Sequence, residues 1–324
     1  MILCMGEAVI DMVQTNVPGL GEVFFPIPGG CSYNTSIAIS RLGLPVAFLG
    51  RLSTGFFGEI QVKKLRENKV KDNLLIRCGQ NPILAFIKTE EGKDPQYAFY
   101  DEGTADRFLS TEELPLKLPS DTSCIVFGSI SMCMEPIAST IEKLILKEAE
   151  SKKIVIAFDP NIRSFLIKDR NAYMKRFEKW ISVCTIAKIS SEDFSFIYPD
   201  TEPEQALKKI IELGTRLAIV TLGPKGAIAL LRRDDGSVTR VRVPAAHIPR
   251  IADTVGAGDT FHGALLAWLE QRGKMSPNAV ANLSENDLYD ALIFANKAAA
   301  FVCTRNGAEP PTPEEIEKLT DLDE

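Results

Sequence analysis

The sequence predicts an α/β fold in which helices cover both faces of a parallel sheet. Through the middle and C-terminal parts, short β-branched runs alternate with longer helical patterns, which is typical of β-α-β units. The run Ile154–Phe158 is apolar throughout, as expected of a strand that is buried on both faces. With 324 residues, of which 45% are hydrophobic and 25% charged, the chain is long enough to bury one large core.

The alternation can be followed element by element from residue 124 onward. The predicted strands are Cys124–Phe127, Ile154–Phe158, Thr185–Ile189 and Leu217–Leu222. The predicted helices between them are Ile137–Glu150, Tyr173–Ser182 and Pro203–Leu213. Each helix is long enough to carry the chain back to the start of the next strand, so a parallel order is expected.

Two stretches depart from this alternation and predict strands outside the main sheet. The first, about residues 12–28, is rich in proline and glycine, and the second, about residues 83–107, begins with a hairpin pattern. We expect both to form a small β-sheet lid on a single domain spanning residues 1–324, because no repeat or long linker divides the chain. The hairpin pattern consists of Ile83–Thr89, a turn at Glu91–Lys93, and Gln96–Tyr100.

Composition excludes several classes of protein. The net charge of −6 and the pI near 5.3 argue against nucleic-acid binding, which needs clustered basic residues. No apolar run is long enough for a membrane helix, and the N-terminus lacks the basic flank of a signal peptide, so a cytoplasmic protein is expected. The seven cysteines form no CxxC pair and are expected to be free thiols. The two histidines, His247 and His262, have no metal-ligand spacing.

The strongest local signal is a glycine-rich turn that leads into an apolar helix. Gly256, Ala257 and Gly258 allow the backbone to approach a ligand, and the N–H groups at a helix start favour an anion. Asp259 follows in the first turn, where an acid beside an anion site suits proton transfer or metal binding. Asp259 could equally be an ordinary residue of a helix N-terminus, and these residues alone leave both interpretations open.

The segment Asp253–Asp259 resembles the Asp-Thr-x-Gly-Ala-Gly-Asp signature of the ribokinase-like (PfkB) sugar kinases, and the likeness extends over essentially the whole chain. The resemblance implies a three-layer α/β/α sandwich with a mostly parallel central sheet, and an ATP-dependent sugar kinase. It implies that Asp259 is the catalytic base. It also implies that the amides of Gly256, Ala257 and Gly258 hold the transferring phosphoryl group.

The same resemblance implies a sugar site built from the first strand, a second glycine signature and the lid. An aspartate after the first strand can accept hydrogen bonds from two vicinal hydroxyls, and glycines allow the backbone to approach them. The implied substrate-binding residues are Asp11, Gly29, Gly30, Asn34, Phe99 and Arg163.

On the nucleotide side, the resemblance implies cofactor-binding residues in four further segments. Relatives place magnesium through water with an Asn-x-x-Glu segment; here Ser190 and Asp193 stand in those positions, and Glu192 is an alternative acid. ATP and Mg²⁺ are therefore the implied cofactors, and Asp253 with residues 304–309 matches the place where some relatives hold K⁺. The implied cofactor-binding residues are Lys188, Ser190, Thr221, Gly223, Gly226, Gly258 and Asn296, with Asp193 at the metal.

The stretch Tyr97–Arg107 resembles the lid strand of bacterial fructokinases. Kinases of 2-keto-3-deoxygluconate usually carry an arginine where this chain has Asp101, so a neutral sugar is expected, with fructose first and ribose or an aminoimidazole riboside as alternatives. A non-catalytic sugar-binding relative is a further alternative. A dehydrogenase and a P-loop kinase are excluded because the required glycine motifs are missing. Open strand edges on the lid favour a homodimer through it.

Overall fold

The computed structural model describes residues 1–88, 96–248 and 250–320. The predicted turn at Glu91–Lys93 therefore lies outside the described residues. The strands are β1 (Ile2–Met5), β2 (Val9–Val17), β3 (Gly21–Gly29), β4 (Val46–Ser53), β5 (Leu75–Cys78), β6 (Ile83–Lys88), β7 (Gln96–Tyr100), β8 (Cys124–Gly128), β9 (Val155–Asp159), β10 (Ile186–Ser190), β11 (Leu217–Thr221), β12 (Ala227–Arg232) and β13 (Val238–Val243). The helices are α1 (Cys31–Arg41), α2 (Phe56–Glu67), α3 (Ile137–Ser151), α4 (Arg170–Val183), α5 (Ser191–Ile197), α6 (Pro203–Leu213), α7 (Ala257–Gln271), α8 (Pro277–Ala281), α9 (Glu285–Val302) and α10 (Pro313–Thr320).

The main sheet confirms the predicted α/β class. Its strand order is β13-β12-β11-β10-β9-β8-β1-β4-β5, and every pair from β11 through β5 is parallel. Only the edge next to β11 is antiparallel within the described residues, because β12 and β13 follow β11 through short connections. The predicted helix Pro203–Leu213 matches α6, whereas α4 begins three residues before the predicted start because Asp169 caps it by accepting from the Ala172 N–H at 3.0 Å.

Two hydrophobic clusters lie on opposite faces of this sheet. Alternate residues of β8 separate into them: Cys124 and Val126 pack on the side of α1, α7 and α9, while Ile125 and Phe127 pack on the side of α3, α4 and α6. The apolar run that predicted a strand covered on both faces thus has that environment, with each side chain of β8 buried.

The carboxyl ends of the parallel strands meet at one edge of the sheet. Gly128 at the end of β8 lies opposite Asp159 at the end of β9, and Ser190 at the end of β10 lies opposite Thr221 at the end of β11. Ligands of open α/β sheets bind outside this edge. The topology therefore gathers the polar residues that follow these strands into one region.

A second, four-stranded sheet has the order β3-β2-β6-β7, with β2 and β6 parallel and the outer pairs antiparallel. It contains the segments predicted to lie outside the main sheet, although residues 101–107 continue past its last strand. Asp11 lies opposite Ile27 and Ala85, and Ala85 lies opposite Phe99. Because opposed residues project to the same side of a sheet, Asp11 and Phe99 share one face. None of the helices in the described ranges combines the length and apolarity needed to cross a bilayer.

Gly128 allows β8 and β9 to end side by side at the carboxyl edge of the main sheet. Its φ is 151°, and an added Cβ would lie 1.7 Å from the Asp159 carbonyl oxygen. We predict that Gly128→Ala lowers the free energy of unfolding by at least about 2 kcal/mol, because backbone strain and overpacking add. Gly236→Ala is the matched control: its φ is 83°, but no atom lies within 4 Å of the added Cβ, so only strain remains. Equal losses for the two variants in urea denaturation would contradict the close-approach argument.

Candidate active site

Helix α7 begins at the carboxyl edge of the sheet, and no side chain caps its first turn. Its N-cap, Gly256, has φ 76°, a left-handed conformation that favours glycine, and supplies no side-chain cap. An added Cβ there would also lie 2.6 Å from the Cβ of Ala308, so the C-terminal loop packs directly on this turn. The N–H groups of the first turn, with the helix dipole behind them, make this helix start suited to an anion.

Asp259 lies in that first turn and is 7% exposed. Its Oδ2 accepts a hydrogen bond from Asn34 Nδ2 at 2.9 Å, which fixes the carboxylate toward α1. Burial raises the pKa of Asp259 to about 6 and the nearby Asp159 carboxylate acts in the same direction, while hydrogen bonds from Asn34 and Cys31 act to lower it. A carboxyl with this pKa is ionised near neutral pH yet able to accept a proton.

A buried ion pair supports the start of α7 from below. Lys188 Nζ lies 2.8 Å from Asp159 Oδ2, and both side chains are almost fully buried. Burial acts to lower the pKa of Lys188, but the Asp159 carboxylate acts against it and leaves that pKa above its ordinary value. An added Cβ on Gly258 would lie 3.0 Å from Lys188 Nζ, so the ammonium group lies directly against the glycine turn. Lys188 therefore adds positive charge at the start of α7.

A second carboxylate, Asp11, faces the same space from the small sheet. Burial raises its pKa to about 6, the charge of Arg163 acts to lower it, and the charge of Asp259 acts to raise it. Gly29 makes room for it, because an added Cβ would lie 2.5 Å from Asp11 Oδ2. Gly30, at φ 117°, caps α1 against the backbone of Glu7. Asp11, Gly29, Gly30 and Asn34 are thus brought together beside Asp259.

Arg163 and Phe99 lie at the outer side of this space. Arg163 is exposed and donates from Nη1 to Asn161 Oδ1 at 2.6 Å. Phe99 packs its ring on Phe165, with centroids 5.2 Å apart. Asp101, at the end of β7, forms an ion pair with Arg107 at 3.0 Å. The charge of Asp101 is thus balanced within the chain.

Among the residues expected to bind the nucleotide, some lie after β11 and another lies on α9. Thr221, Gly223 and Gly226 lie at the end of β11 and in the turn to β12, on the same edge as α7. Asn296, on α9, instead donates from Nδ2 to the Pro244 carbonyl at 2.7 Å and ties that helix to the chain after β13.

The expected metal-site residues Ser190 and Asp193 form the capping box of α5. Ser190 Oγ accepts from the Asp193 N–H, and Asp193 Oδ2 accepts from the Ser190 N–H. Asp193 Oδ1 accepts from the Ile162 N–H at 2.7 Å. Both oxygens of Asp193 therefore have backbone partners, whereas the adjacent Glu192 is exposed.

Three residues of this region were not predicted from the sequence as site residues: Asp159, Cys31 and His262. The side chain of Cys31, the first residue of α1, lies between the carboxylates of Asp159 and Asp259. His262 is fully buried, one turn after Asp259 on α7. The three-residue spacing of Asp259 and His262 on one helix is the sequence signal that could have paired them.

A helix start suited to an anion, with a buried acid beside it at the edge of an α/β sheet, is the arrangement expected of a phosphoryl-transferring enzyme. The model of the pfkB family carbohydrate kinases matches residues 1–315. The chain belongs to this family.

Curated relatives and solved structures agree with that assignment. A fructokinase of Rhizobium leguminosarum bv. trifolii is 37% identical over 289 residues, covering 89% of this chain and 85% of its own. Fructokinase-1 of Zea mays is 31% identical, covering 98% of this chain and 96% of its own. The crystal structure of a Xylella fastidiosa fructokinase with bound ATP has the same fold, with a TM-score of 0.88 at 24% identity over 100% of this chain and 99% of that one.

The raised pKa of Asp259 has a consequence for stability. Its folded-state pKa of about 6 exceeds the ordinary 3.8, so the folded state binds more protons between these values and loses stability as pH rises through them. We predict that Asp259→Asn raises the melting temperature at about pH 8 and that the gain disappears near pH 4.

The control for that measurement is Asp287→Asn. Hydrogen bonding to Ser284 holds the pKa of Asp287 below its ordinary value, so this variant should lose stability at the higher pH. If Asp259→Asn also melts lower than wild type at about pH 8, burial of a charged Asp259 is not costing stability and the argument is wrong.

Proposed function

We propose that this chain is an ATP-dependent fructokinase that transfers the γ-phosphoryl group of ATP to the C6 hydroxyl of fructose. The observation that carries the proposal is Asp259, a buried carboxylate held by Asn34 in the first turn of a helix that no side chain caps. The domain we propose is a single kinase domain over residues 1–324, with the four-stranded sheet as its lid. The two curated relatives described above are both fructokinases by name.

In the proposed reaction Asp259 takes the proton of the attacking hydroxyl, and Asn34 holds its carboxylate in place. The amides of Gly256, Ala257 and Gly258 then stabilise the charge on the transferring phosphoryl group. Lys188 strengthens this effect because its ammonium lies against the same turn, where the surrounding protein screens charge weakly. The protein thus contributes positioning and electrostatic stabilisation, as phosphoryl transfer requires.

Fructose would bind between the small sheet and α7. Asp11 can accept hydrogen bonds from two neighbouring hydroxyls, and Gly29 and Gly30 let the backbone approach the ring. Phe99 lies on the face of the lid that carries Asp11 and would cover the sugar. Arg163, whose charge is felt by Asp11, would lie at the junction of sugar and phosphate.

ATP would bind along the edge formed by Lys188, Ser190, Thr221, Gly223, Gly226 and Asn296. A Vibrio cholerae fructokinase of the same fold has been solved with fructose, ADP and calcium ion bound. We propose Mg²⁺ as the cation here; when bound it neutralises charge on the β- and γ-phosphates. We propose that Asp193 positions this cation through a bound water, because each of its oxygens accepts one backbone N–H and can accept a further hydrogen bond; the exposed Glu192 is the alternative acid.

A K⁺ site is proposed at the loop packed on α7. Asp253 Oδ2 accepts from the Gly307 N–H at 2.9 Å, which joins the signature segment to residues 304–309. Backbone carbonyls of such a joined loop suit a monovalent cation.

A homodimer through the lid is also proposed. The face of the small sheet opposite Asp11 carries an aromatic row in which Phe86 contacts Phe24 and Tyr100, at centroid distances of 5.0 and 5.6 Å. Phe24 and Tyr100 are 42% and 62% exposed, so a second lid would bury substantial apolar surface.

Cytoplasmic location is proposed because all seven cysteines are free thiols.

The proposal is tested by initial rates with ATP and a panel of fructose, ribose, aminoimidazole riboside and 2-keto-3-deoxygluconate. Fructose should have the highest kcat/KM, and NMR should locate the phosphate at C6. Turnover should stop when divalent cations are chelated. If none of the sugars changes the rate of ATP turnover, the assignment as a sugar kinase is wrong. If ribose has a higher kcat/KM than fructose, only the choice of fructose as the substrate is wrong.

We predict that Asp259→Asn lowers kcat by about 10²–10⁴-fold with little change in fructose affinity, because only the general base is removed. Asp11→Asn is the comparison: it should raise KM for fructose much more than KM for ATP, because Asp11 lies on the sugar side. A kcat close to that of wild type in Asp259→Asn would contradict the assignment of Asp259 as the general base.

We propose that the ion pair between Asp101 and Arg107 makes the enzyme select neutral sugars over sugar acids. Because Asp101 occupies Arg107, the lid offers a substrate carboxylate no attraction from that guanidinium. We predict that Asp101→Ala frees Arg107 and raises kcat/KM for 2-keto-3-deoxygluconate relative to fructose by about 10-fold or more, the worth of one charged hydrogen bond. Glu102→Ala removes the same charge from the exposed neighbouring residue and should leave the ratio nearly unchanged. Equal effects of the two variants would show that net charge, rather than Arg107, sets selectivity.

A further inference from the structure

A thiol and two carboxylates converge next to the start of α7. Cys31, Asp159 and Asp259 each offer one ligand atom, and these atoms lie within 4.8 Å of one another and are buried. Cys31 Sγ is 3.7 Å from Asp159 Oδ2. Ligands of one zinc ion lie about 3–4 Å apart, given bond lengths of about 2.0–2.3 Å, so small side-chain rotations would place all three on one ion.

Unpartnered polar atoms point to the same place. His262 is fully buried, and neither of its ring nitrogens has a hydrogen-bond partner among the described residues. Its Nδ1 lies 3.8 Å from Asp159 Oδ2, so the ring faces the cluster. The other oxygen of Asp159, Oδ1, is also buried without a partner in the described structure. Buried polar atoms without partners are rare in folded proteins and indicate a missing ligand, water or ion.

We propose that Cys31, Asp159 and Asp259 form a binding site for a thiophilic divalent cation, with Zn²⁺ as the best-fitting ion and His262 as a neighbouring fourth donor. Thiolate and imidazole ligands select zinc, whereas Mg²⁺ prefers oxygen ligands and water, so this site differs from the one proposed for the cation that accompanies ATP.

Charge balance favours one divalent ion there. On binding, the Cys31 S–H bond breaks, the proton passes to solvent and a sulfur–metal bond forms. The thiolate and two carboxylates then carry three negative charges, and Lys188 supplies one positive charge. A single divalent cation neutralises the two negative charges that remain. Neutralisation is important because an unpaired charge in a buried site is costly. Lys188 can stay on Asp159 Oδ2 while the unpartnered Oδ1 turns to the metal.

Occupation of this site would inhibit phosphoryl transfer. The ion would take Asp259 as a ligand, and the carboxylate could then not accept the proton of the sugar hydroxyl. This consequence rests on the proposed function, whereas metal binding itself does not. The chain would accordingly be a kinase whose activity falls when free zinc rises.

The binding test uses Co²⁺ as a spectroscopic probe on the full chain without ATP. We expect a thiolate-to-cobalt charge-transfer band that Zn²⁺ abolishes by displacement. Cys31→Ser, which is nearly isosteric, should lose the band, and by calorimetry its Zn²⁺ affinity should fall at least about 10-fold, as even loss of an outer-shell partner can cause. Cys133→Ser, at a partly buried cysteine outside the cluster, should keep both signals. No band in the wild-type protein, or an unchanged band in Cys31→Ser, would overturn the site.

His262→Asn provides a second variant that leaves the thiol in place. It should weaken Zn²⁺ binding and alter the cobalt d–d spectrum while retaining the thiolate band. Binding equal to that of wild type, with unchanged spectra, would remove His262 from the site.

Initial rates at fixed Mg²⁺ and ATP, with increasing free Zn²⁺, test the consequence. Inhibition is expressed against the uninhibited rate of each variant, and Cys31→Ser should need at least about 10-fold more Zn²⁺. Equal inhibition of both proteins would overturn inhibition through this site. Tight Zn²⁺ binding at Cys31 without inhibition would leave the metal site standing and contradict the role of Asp259 as the base.

Discussion

The ion pair between Lys188 and Asp159 is the interaction on which the site depends. It joins the last residue of β9 to the middle of β10, and both side chains are almost fully buried. Removing one partner would leave an uncompensated buried charge, which is far more costly than the pair itself. Because Lys188 lies against Gly258, the pair also contacts the first turn of α7. Asp159 also contacts Cys31 and acts on the pKa of Asp259, so the pair connects the groups of the site.

Several carboxylates lie around this pair, and burial together with their mutual repulsion raises the pKa values of groups that we propose take part in the reaction. Asp11, Asp159 and Asp259 face one region, and each of the pKa values of Asp11 and Asp259 is raised by burial and by another carboxylate of the group. Such crowding costs folding stability, as is usual where titratable groups are tuned for proton transfer. The positive end of α7 and the Lys188 ammonium offset part of that cost.

Much of the fold could be predicted from the sequence because its strands are locally distinctive. Apolar runs such as Ile154–Phe158 and a clean helical pattern such as Pro203–Leu213 need no tertiary information to recognise. The glycine turn before Asp259 predicts a helix start that suits an anion, but the role of Asp259 itself was assigned only from the resemblance to the family.

Other features depend on contacts between distant segments and could not be predicted. The pairing of Lys188 with Asp159 joins residues on separate strands, and the proximity of Cys31 to both carboxylates requires the packing of α1 against α7. The pairing of Asp101 with Arg107 depends on how the chain turns after β7. The capping role of Asp193 depends on the start of α5, an element that the sequence pattern did not reveal.

Asp259 is proposed to accept the proton of the sugar hydroxyl. The pH dependence of kcat/KM for fructose tests this role, because that parameter reports the free enzyme. We expect an acid limb with a midpoint near pH 6. In Asn34→Ala the limb should move to higher pH, because the variant loses the hydrogen bond that lowers the pKa of Asp259. A limb that stays at the same pH in Asn34→Ala, or a profile without an acid limb, would contradict the assignment of Asp259 as the base.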